Sequence, residues 1–192
     1  MQEGFYGKLP HTNKKLFSMK KLFTLALVAV GLATSVVTHA QEEDKSKRPS
    51  PPAKVSQTTT SGTAVTIDYS QPAVKGRTIG KEIAPYGEVW RTGANEATTF
   101  EVSKDVKING QALSKGKYAL FTIPNKEEWV VIFNKVPEQW GAYKYDEAQD
   151  ALRVNVKPGK AKAFTERMTF AVSKAGKVSL TWGDVLVDFS VQ

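Results

Sequence analysis

The 192-residue sequence contains no cysteine, and its only two histidines, His11 and His39, lie in the first 40 residues. The absence of cysteine excludes disulfides, thiol catalysis, thiolate metal sites and a lipid-modified cysteine. Without histidine beyond residue 40, that part of the chain cannot build a Ser-His-Asp triad or the usual zinc and non-haem iron sites. Any chemistry there must use carboxylates, Lys, Tyr, Ser or Thr, and we expect no cofactor and no metal.

A hard ion with oxygen ligands, such as calcium, is the one metal that this composition still permits. The densest acidic cluster is formed by Asp146, Glu147 and Asp150. Its spacing differs from the D-x-D-x-D-G loop of an EF-hand. We therefore interpret the cluster as a surface turn or a short helical cap.

Long hydrophobic runs are absent apart from one near the N-terminus. Residues 22–37 are almost wholly apolar, follow the basic Met19-Lys20-Lys21 and precede Thr38-His39-Ala40, which resembles a signal-peptidase site. This run is shorter than the roughly 20 residues that a membrane-spanning helix needs. The sequence therefore predicts a signal peptide at residues 19–40, cleaved after Ala40, and no integral membrane segment after processing.

The rest of the chain divides into three parts. Residues 1–18 show no fold-like periodicity and are predicted to be a non-native upstream extension. Residues 41–52 are polar and then proline-rich, which is typical of a flexible linker. Residues 53–192 are expected to form one domain, and export of a chain without cysteine fits a periplasmic or extracellular location.

Positive charge is in only slight excess once residues 1–40 are set aside. The whole sequence has 27 basic and 19 acidic residues, of which residues 1–40 hold five and one, so residues 41–192 carry a net charge of +4. Their lysines are scattered singly, as at Lys157, Lys160 and Lys162, whereas nucleic-acid binding needs a dense basic face. We therefore expect no nucleic-acid partner.

Short runs of alternating polarity dominate residues 53–192. Val65, Ile67 and Tyr69 alternate with polar residues, which is the period of a strand with one buried face. Similar strand-like runs follow at 98–102, 106–108, 117–123, 129–134, 152–156, 168–172, 178–182 and 185–191. Turn signals separate them at Asn109-Gly110, Lys115-Gly116, Pro124-Asn125, Pro158-Gly159, Ala175-Gly176 and Gly183-Asp184. Because no long segment keeps a helical period, we predict an all-β fold, a single antiparallel β-sandwich or jelly-roll-like domain.

Two segments interrupt this rhythm, at Gln71–Ala97 and at Pro137–Asp150. Both are longer than ordinary hairpin connections, and long connections in a compact β domain tend to be either functional or disordered. Both are also dense in aromatic residues, which favours an ordered surface. Their candidate ligand-binding residues are Trp90, Arg91, Asn95, Glu96, Trp140, Tyr143 and Tyr145.

These residue types suit a polar small molecule or a glycan. Aromatic faces can cover the C–H faces of a sugar, while Arg91, Asn95 and Glu96 satisfy its hydroxyls. A purely structural interpretation is also open, in which Arg91 and Glu96 pair to pin a loop and the aromatic residues close one end of the sandwich. Trp129 and Trp182 lie inside strand patterns and are expected to pack in the core.

Several motifs resemble the bacterial secreted proteins grouped as domain of unknown function 2911. The resemblance covers roughly Ser50 to Val191 and is most specific along the string from Val89 to Thr98. Further matching motifs are Tyr69–Pro72, Lys75–Arg77, Pro85–Gly87, Gly116, Tyr118–Pro124, Ile132–Lys135 and Gln139–Tyr143. It implies export and one β-rich domain, and it carries no established activity, substrate or catalytic residue.

Three functions remain open from the sequence. The leading hypothesis is an exported, non-catalytic binding domain of the bacterial envelope that takes a polar ligand or a glycan. The first alternative is a structural or protein-interaction module of the periplasm, whose partner is an envelope protein. The second is a carboxylate-based hydrolase, for which Glu96 and Asp146 would have to lie about 5 to 10 Å apart across a cleft.

Overall fold

The computed structural model describes residues 44–192, so the predicted upstream extension, signal peptide and cleavage site lie outside the described residues. Its regular elements are ten strands and two single-turn 3-10 helices, at Lys45–Lys47 and Glu147–Gln149. The strands are β1 (Pro52–Thr58), β2 (Ala64–Ser70), β3 (Thr98–Val102), β4 (Val106–Ile108), β5 (Gln111–Leu113), β6 (Gly116–Ile123), β7 (Trp129–Asn134), β8 (Asp150–Val156), β9 (Gly159–Val172) and β10 (Lys177–Ser190). The predicted all-β class is confirmed.

Six strands form one antiparallel sheet in the order β1-β2-β3-β6-β7-β8. Strands β9 and β10, of 14 residues each, form a long separate hairpin, and β4 and β5 form a short one. The turn between β4 and β5 is Asn109-Gly110, and both residues have positive φ angles, of 47° and 85°. A tight hairpin turn needs this conformation, which Asn and Gly adopt readily.

The core lies where the long hairpin packs against the sheet. Phe189 of β10 contacts both Phe100 and Phe133 of the sheet, with ring centroids 6.0 and 5.9 Å apart. Trp129 and Trp182 are buried as expected. Each large apolar side chain buried in this way stabilises the fold by roughly 1.5 to 3 kcal/mol.

Strand β6 is buried on both of its faces. Its residues 118–122 are all buried, because one face lies in the main core and the other in a smaller apolar cluster. That second cluster contains Phe121 and Ile132, and Ala142 and Tyr145 from the segment Pro137–Asp150 pack against it. The segment is therefore fixed to the sheet by apolar contacts of its own.

One predicted turn is wrong. Gly183-Asp184 does not separate two strands, because β10 runs continuously from Lys177 to Ser190. The pairing with β9 changes register on either side of Gly183, whose φ angle is +57°, so this glycine marks a bulge. The sequence signal is the same for a bulge and a turn, because both can require a positive φ angle and both therefore favour glycine.

Part of the predicted linker lies against the domain. Pro51 accepts a hydrogen bond from the backbone of Gln71, and the carbonyl of Ser50 accepts one from the Asn95 side chain. Arg48 is paired with Glu96. Among residues 44–192, no helix is long and apolar enough to cross a membrane.

Candidate functional site

The segments Gln71–Ala97 and Pro137–Asp150 meet as a short antiparallel pair. Glu96 and Trp140 form the bridge, the Ala97 N–H donates to the Gln139 carbonyl at 2.9 Å, and the Gly141 N–H donates to the Asn95 carbonyl at 3.1 Å. Trp90 also exchanges two backbone hydrogen bonds with Thr122 of β6. The sheet therefore holds both segments side by side at one edge of the core.

A strained turn at residues 92–95 directs the side chains of the first segment. Thr92 and Asn95 both have positive φ angles, of 53° and 58°, which is costly for a β-branched residue such as Thr92. The Thr98 hydroxyl donates to the Thr92 carbonyl at 2.7 Å, and the Asn95 amide donates to Ser70 and Ser50. These bonds hold the turn in one conformation.

Gly93 lets this turn pack closely against its surroundings. A Cβ atom at Gly93 would lie 2.9 Å from the Thr98 hydroxyl and 3.1 Å from the Ser70 carbonyl. Both distances are shorter than ordinary contacts, and the second neighbour is backbone. The glycine is required here for close approach.

An open cleft of about 640 Å³ lies beside the two segments. Trp90 and Trp182 lie at its base and stack on each other, with ring centroids 5.2 Å apart and planes 13° apart. Its polar lining is formed by Arg77, Glu82, Glu88, Arg91, Asn95 and Tyr143. The cleft thus combines an aromatic base with a mixed polar wall.

Arg91 is a half-buried cation in the wall of the cleft. Burial lowers its pKa, although the neighbouring Tyr143 opposes this effect, and a guanidinium stays protonated in either case. Its Nε is buried and has no hydrogen-bond partner, and the side chain forms no ion pair with any other residue in 44–192. Gly141 lies beside it and has a φ of +66°, and a Cβ there would lie 3.0 Å from the Tyr143 ring, so the glycine allows the close approach of Tyr143.

The two stacked tryptophans at the base differ in their hydrogen bonding. The Trp90 indole N–H donates to the Gly93 carbonyl at 3.1 Å. Trp182 is 2% exposed, and its indole Nε1 finds no acceptor among the described residues. Trp90 is predicted as a ligand-binding residue, but its indole N–H is already hydrogen-bonded within the chain. The indole N–H of Trp182 has no such bond among the described residues.

Glu96 lies outside this cleft. Both of its oxygens accept from Arg48 Nη1, at 3.0 and 2.9 Å, and Lys45 Nζ lies 3.1 Å away. Burial opposes ionisation, but its own backbone N–H and these two cations hold the pKa of Glu96 below its usual value. The sequence raised an Arg91–Glu96 pair as one alternative; in the structure the partners of Glu96 are Arg48 and Lys45.

Trp140 and Tyr143 are exposed on the second segment. Their exposed fractions are 59% and 86%. Trp140 lines a shallow depression of about 320 Å³, with the Arg48 guanidinium 5.9 Å from its ring centroid. Tyr143 lines both this depression and the cleft, so it stands between them.

Tyr145 departs from the predicted common surface. Its ring packs edge-on against Phe121, with centroids 5.0 Å apart, and its hydroxyl donates to Asp150 Oδ2 at 2.6 Å. Arg153 Nη2 donates to the same hydroxyl at 2.5 Å. Burial and the bond to Asp150 raise the pKa of Tyr145 to about 12. Tyr145 therefore belongs to the packing of the second segment and does not line the cleft.

The acidic cluster is used within the chain. Asp146 caps the second 3-10 helix by accepting from the Ala148 N–H, and Arg153 pairs with Glu147 at 3.1 Å and with Asp150 at 2.7 Å. Within residues 44–192 no three His, Cys, Asp or Glu residues are grouped so as to hold a metal ion. These contacts agree with the interpretation as a turn and a cap.

Sequence reasoning missed the charged lining residues Arg77, Glu82 and Glu88 and the indole of Trp182, among others. Arg77, Glu82 and Glu88 lie in the first segment but outside the motif that drew attention, and Trp182 was assigned to the core. Trp182 is indeed a core residue, and it also lines the cleft because it stacks beneath Trp90. The alternation of β10 predicts its burial, but the place of its ring depends on the first segment.

The comparisons with known proteins identify a family and nothing further. The family described as "Protein of unknown function (DUF2911)" matches residues 50–191. No curated protein and no solved structure matches the chain.

Proposed function

The chain belongs to the DUF2911 family of proteins of unknown function, and we propose that it is an exported, non-catalytic binding domain of the bacterial envelope that takes a glycan in the cleft beside Arg91. The observation that carries this proposal is the pair of exposed rings, Trp140 and Tyr143, next to a polar cleft. Single exposed aromatic residues are common, but exposed rings grouped beside a polar cleft are typical of a binding surface.

The geometry suits a saccharide better than an apolar ligand. Sugar rings offer C–H faces to aromatic rings and hydroxyls to polar side chains, and the cleft has both kinds of partner within one wall. Tyr143 lies between the cleft and the depression at Trp140, so a chain of sugars can cross its ring. Arg91 offers N–H donors on the cleft side, and Asn95, whose amide nitrogen donates to Ser50 and Ser70, offers its side-chain oxygen as an acceptor.

Export is supported by the leader alone. A basic start at Met19, an apolar run and a small-residue site at Ala40 are the features of a secreted chain. The proposed location is the periplasm or the extracellular space, where glycans of the envelope are within reach.

A glycan array tests the proposal with three variants. We expect labelled wild-type protein to bind at least one glycan, and Tyr143→Ala or Trp140→Ala to weaken that binding by about tenfold or more. Phe164→Ala is the matched control, because Phe164 is as exposed as Trp140 and does not line the cleft. Equal binding by all three variants, or no binding by the wild type, would contradict the proposal.

One observation favours a protein partner as the alternative. Val136 is exposed beside Trp140, and both line the shallow depression with Lys144. An envelope protein bound there would be weakened by Val136→Asp while the glycan array stayed blank. The hydrolase alternative gains no such support, because Glu96 is held by Arg48 and Lys45 and Asp146 caps a helix.

A further inference from the structure

Two buried hydrogen-bond donors at the cleft have no acceptor among the described residues. They are the Nε of Arg91 and the indole Nε1 of Trp182, and both side chains line the cleft. Most buried polar groups in proteins have a partner, so each exception needs an explanation. Arg91 in addition forms no ion pair among residues 44–192 and is only half-buried, so the outer part of its guanidinium is open to an acceptor in the cleft.

We propose that the ligand is an acidic saccharide whose carboxylate is bound by Arg91. This inference rests on the proposed function of the cleft. A guanidinium presents parallel N–H groups whose spacing matches the two oxygens of a carboxylate. Arg91 has no carboxylate partner within residues 44–192, so its charge remains available for one.

The charges around the cleft favour a single carboxylate over a phosphate group. Two cations, Arg77 and Arg91, line the cleft together with two anions, Glu82 and Glu88. Arg77 already donates to the carbonyls of Ala73 and Val74. The two glutamates would repel a dianion, whereas Glu88, and the Glu82 oxygen that is not bound by the Thr78 N–H, can accept hydrogen bonds from sugar hydroxyls.

The opposite side of the segment pair shows a contrasting arrangement, in which a carboxylate is paired within the chain. There Glu96 has Arg48 and Lys45 as counter-charges, so that carboxylate needs nothing from outside the chain. On the cleft side Arg91 forms no ion pair among the described residues, although two glutamates line the same cleft and burial disfavours its charged form. A bound carboxylate supplies the missing charge at that point.

Matched acid and ester pairs test the inference by calorimetry. The probes are glucuronate and galacturonate, each beside its methyl ester, which keeps the sugar and removes the charge, with inorganic phosphate as a further arm. We expect at least one acid to bind about tenfold more tightly than its ester. Arg91→Gln should remove that difference, and Arg91→Lys should restore only part of it, because lysine keeps the charge without the planar fork.

A charge-matched control separates local contacts from a change in net charge. Lys174→Gln removes one positive charge from the turn between β9 and β10 and should leave the acid affinity within about twofold of wild type. Thermal melts of each variant, without sugar, verify folding. If Arg91→Gln is unfolded, Arg91→Lys carries the comparison.

The possible failures are distinguishable. Equal affinity for acid and ester at the cleft overturns the carboxylate and leaves the glycan proposal standing. Tighter binding of phosphate than of either acid also overturns the carboxylate. An unchanged acid affinity in Arg91→Gln overturns the assignment to Arg91. If neither acid nor ester binds and the glycan array is blank, both proposals fail together.

Discussion

Arg153 and Arg91 are two cations near the same segment pair, and they differ in their partners: Arg153 forms ion pairs within the chain, whereas Arg91 forms none among the described residues. Arg153 pairs with Asp150 and Glu147 and donates to Tyr145, and these contacts raise its pKa although burial opposes the charge. Arg91 has no ion pair within the described residues, and burial lowers its pKa. A cation whose partners are all in the chain holds the fold, and a buried cation without partners is suited to recognition.

The largest expected effect is the loss of the carboxylate at the centre of the Arg153 network. Asp150 is 8% exposed at its side chain and accepts from Arg153, Tyr145 and Asn134. Asp150→Ala removes the acceptor of the Tyr145 hydroxyl and of Arg153 Nε, although Arg153 keeps Glu147 and Asn134 keeps the Asp146 carbonyl, and we expect it to lower the free energy of unfolding by about 2 to 4 kcal/mol. Urea denaturation measures the change.

The control for that variant uses the other carboxylate on the same arginine. Glu147 is 74% exposed at its side chain, so Glu147→Ala should cost less than about 1 kcal/mol. Equal losses for the two variants would show that burial does not distinguish these pairs.

The next effect concerns the turn that positions Arg91. Gly93→Ala places a methyl group 2.9 Å from the Thr98 hydroxyl and 3.1 Å from a backbone carbonyl. We expect a loss of about 1 to 3 kcal/mol of unfolding free energy and weaker sugar binding. Gly159→Ala is the control, because its nearest neighbour would be 3.8 Å away and its φ is not positive, so its stability should stay level or rise. A Gly93→Ala protein as stable as wild type would contradict the close approach.

A smaller effect follows from the Tyr145 hydroxyl. Its folded-state pKa of about 12 lies above the value of 10 that is usual for tyrosine. The stability that this shift contributes is fully present below pH 10 and is lost as the pH rises towards 12. Chemical denaturation at pH 8 to 12 should therefore show a steeper decline for wild type than for Tyr145→Phe. Parallel declines would contradict the shift.

The smallest expected effect on stability is at Arg91 itself. Because Arg91 has no partner to lose, Arg91→Gln should change the free energy of unfolding by less than about 0.5 kcal/mol. Arg153→Gln breaks three contacts and should cost clearly more. Similar losses at the two positions would remove the contrast between the two regions.

Sequence patterns predicted most of the strands but only part of the site. The runs at 98–102 and 106–108 match strands of the structure residue for residue, because alternation reports on a strand with one buried face. The run at 129–134 also matches, as a continuous apolar strand that is buried on both faces. The pairing of Asn95 with Gly141 and the place of Trp182 beneath Trp90 join residues distant in sequence. No local pattern encodes these contacts, since they depend on how the hairpin and the two segments pack.

The two irregular segments also show that local sequence patterns do not determine which way each side chain faces. Their aromatic density indicated an ordered surface, and the structure pairs them through Glu96 and Trp140. The seven predicted residues nevertheless divide among the cleft, the side facing Arg48 and the packing on Phe121. Each side chain's direction depends on the positive φ angles at Thr92, Asn95 and Gly141, which the sequence marks only at the glycine.

The most direct test of the central claim observes the unpaired donor itself. The sequence has five arginines, so the Nε–H region of a nitrogen-15 correlation spectrum is simple, and Arg91→Lys assigns the signal of Arg91. Adding glucuronate or galacturonate should shift the Arg91 signal, while the methyl ester leaves it in place and Lys174→Gln does not change the shift. An Arg91 signal that stays fixed while the acid binds would contradict the account.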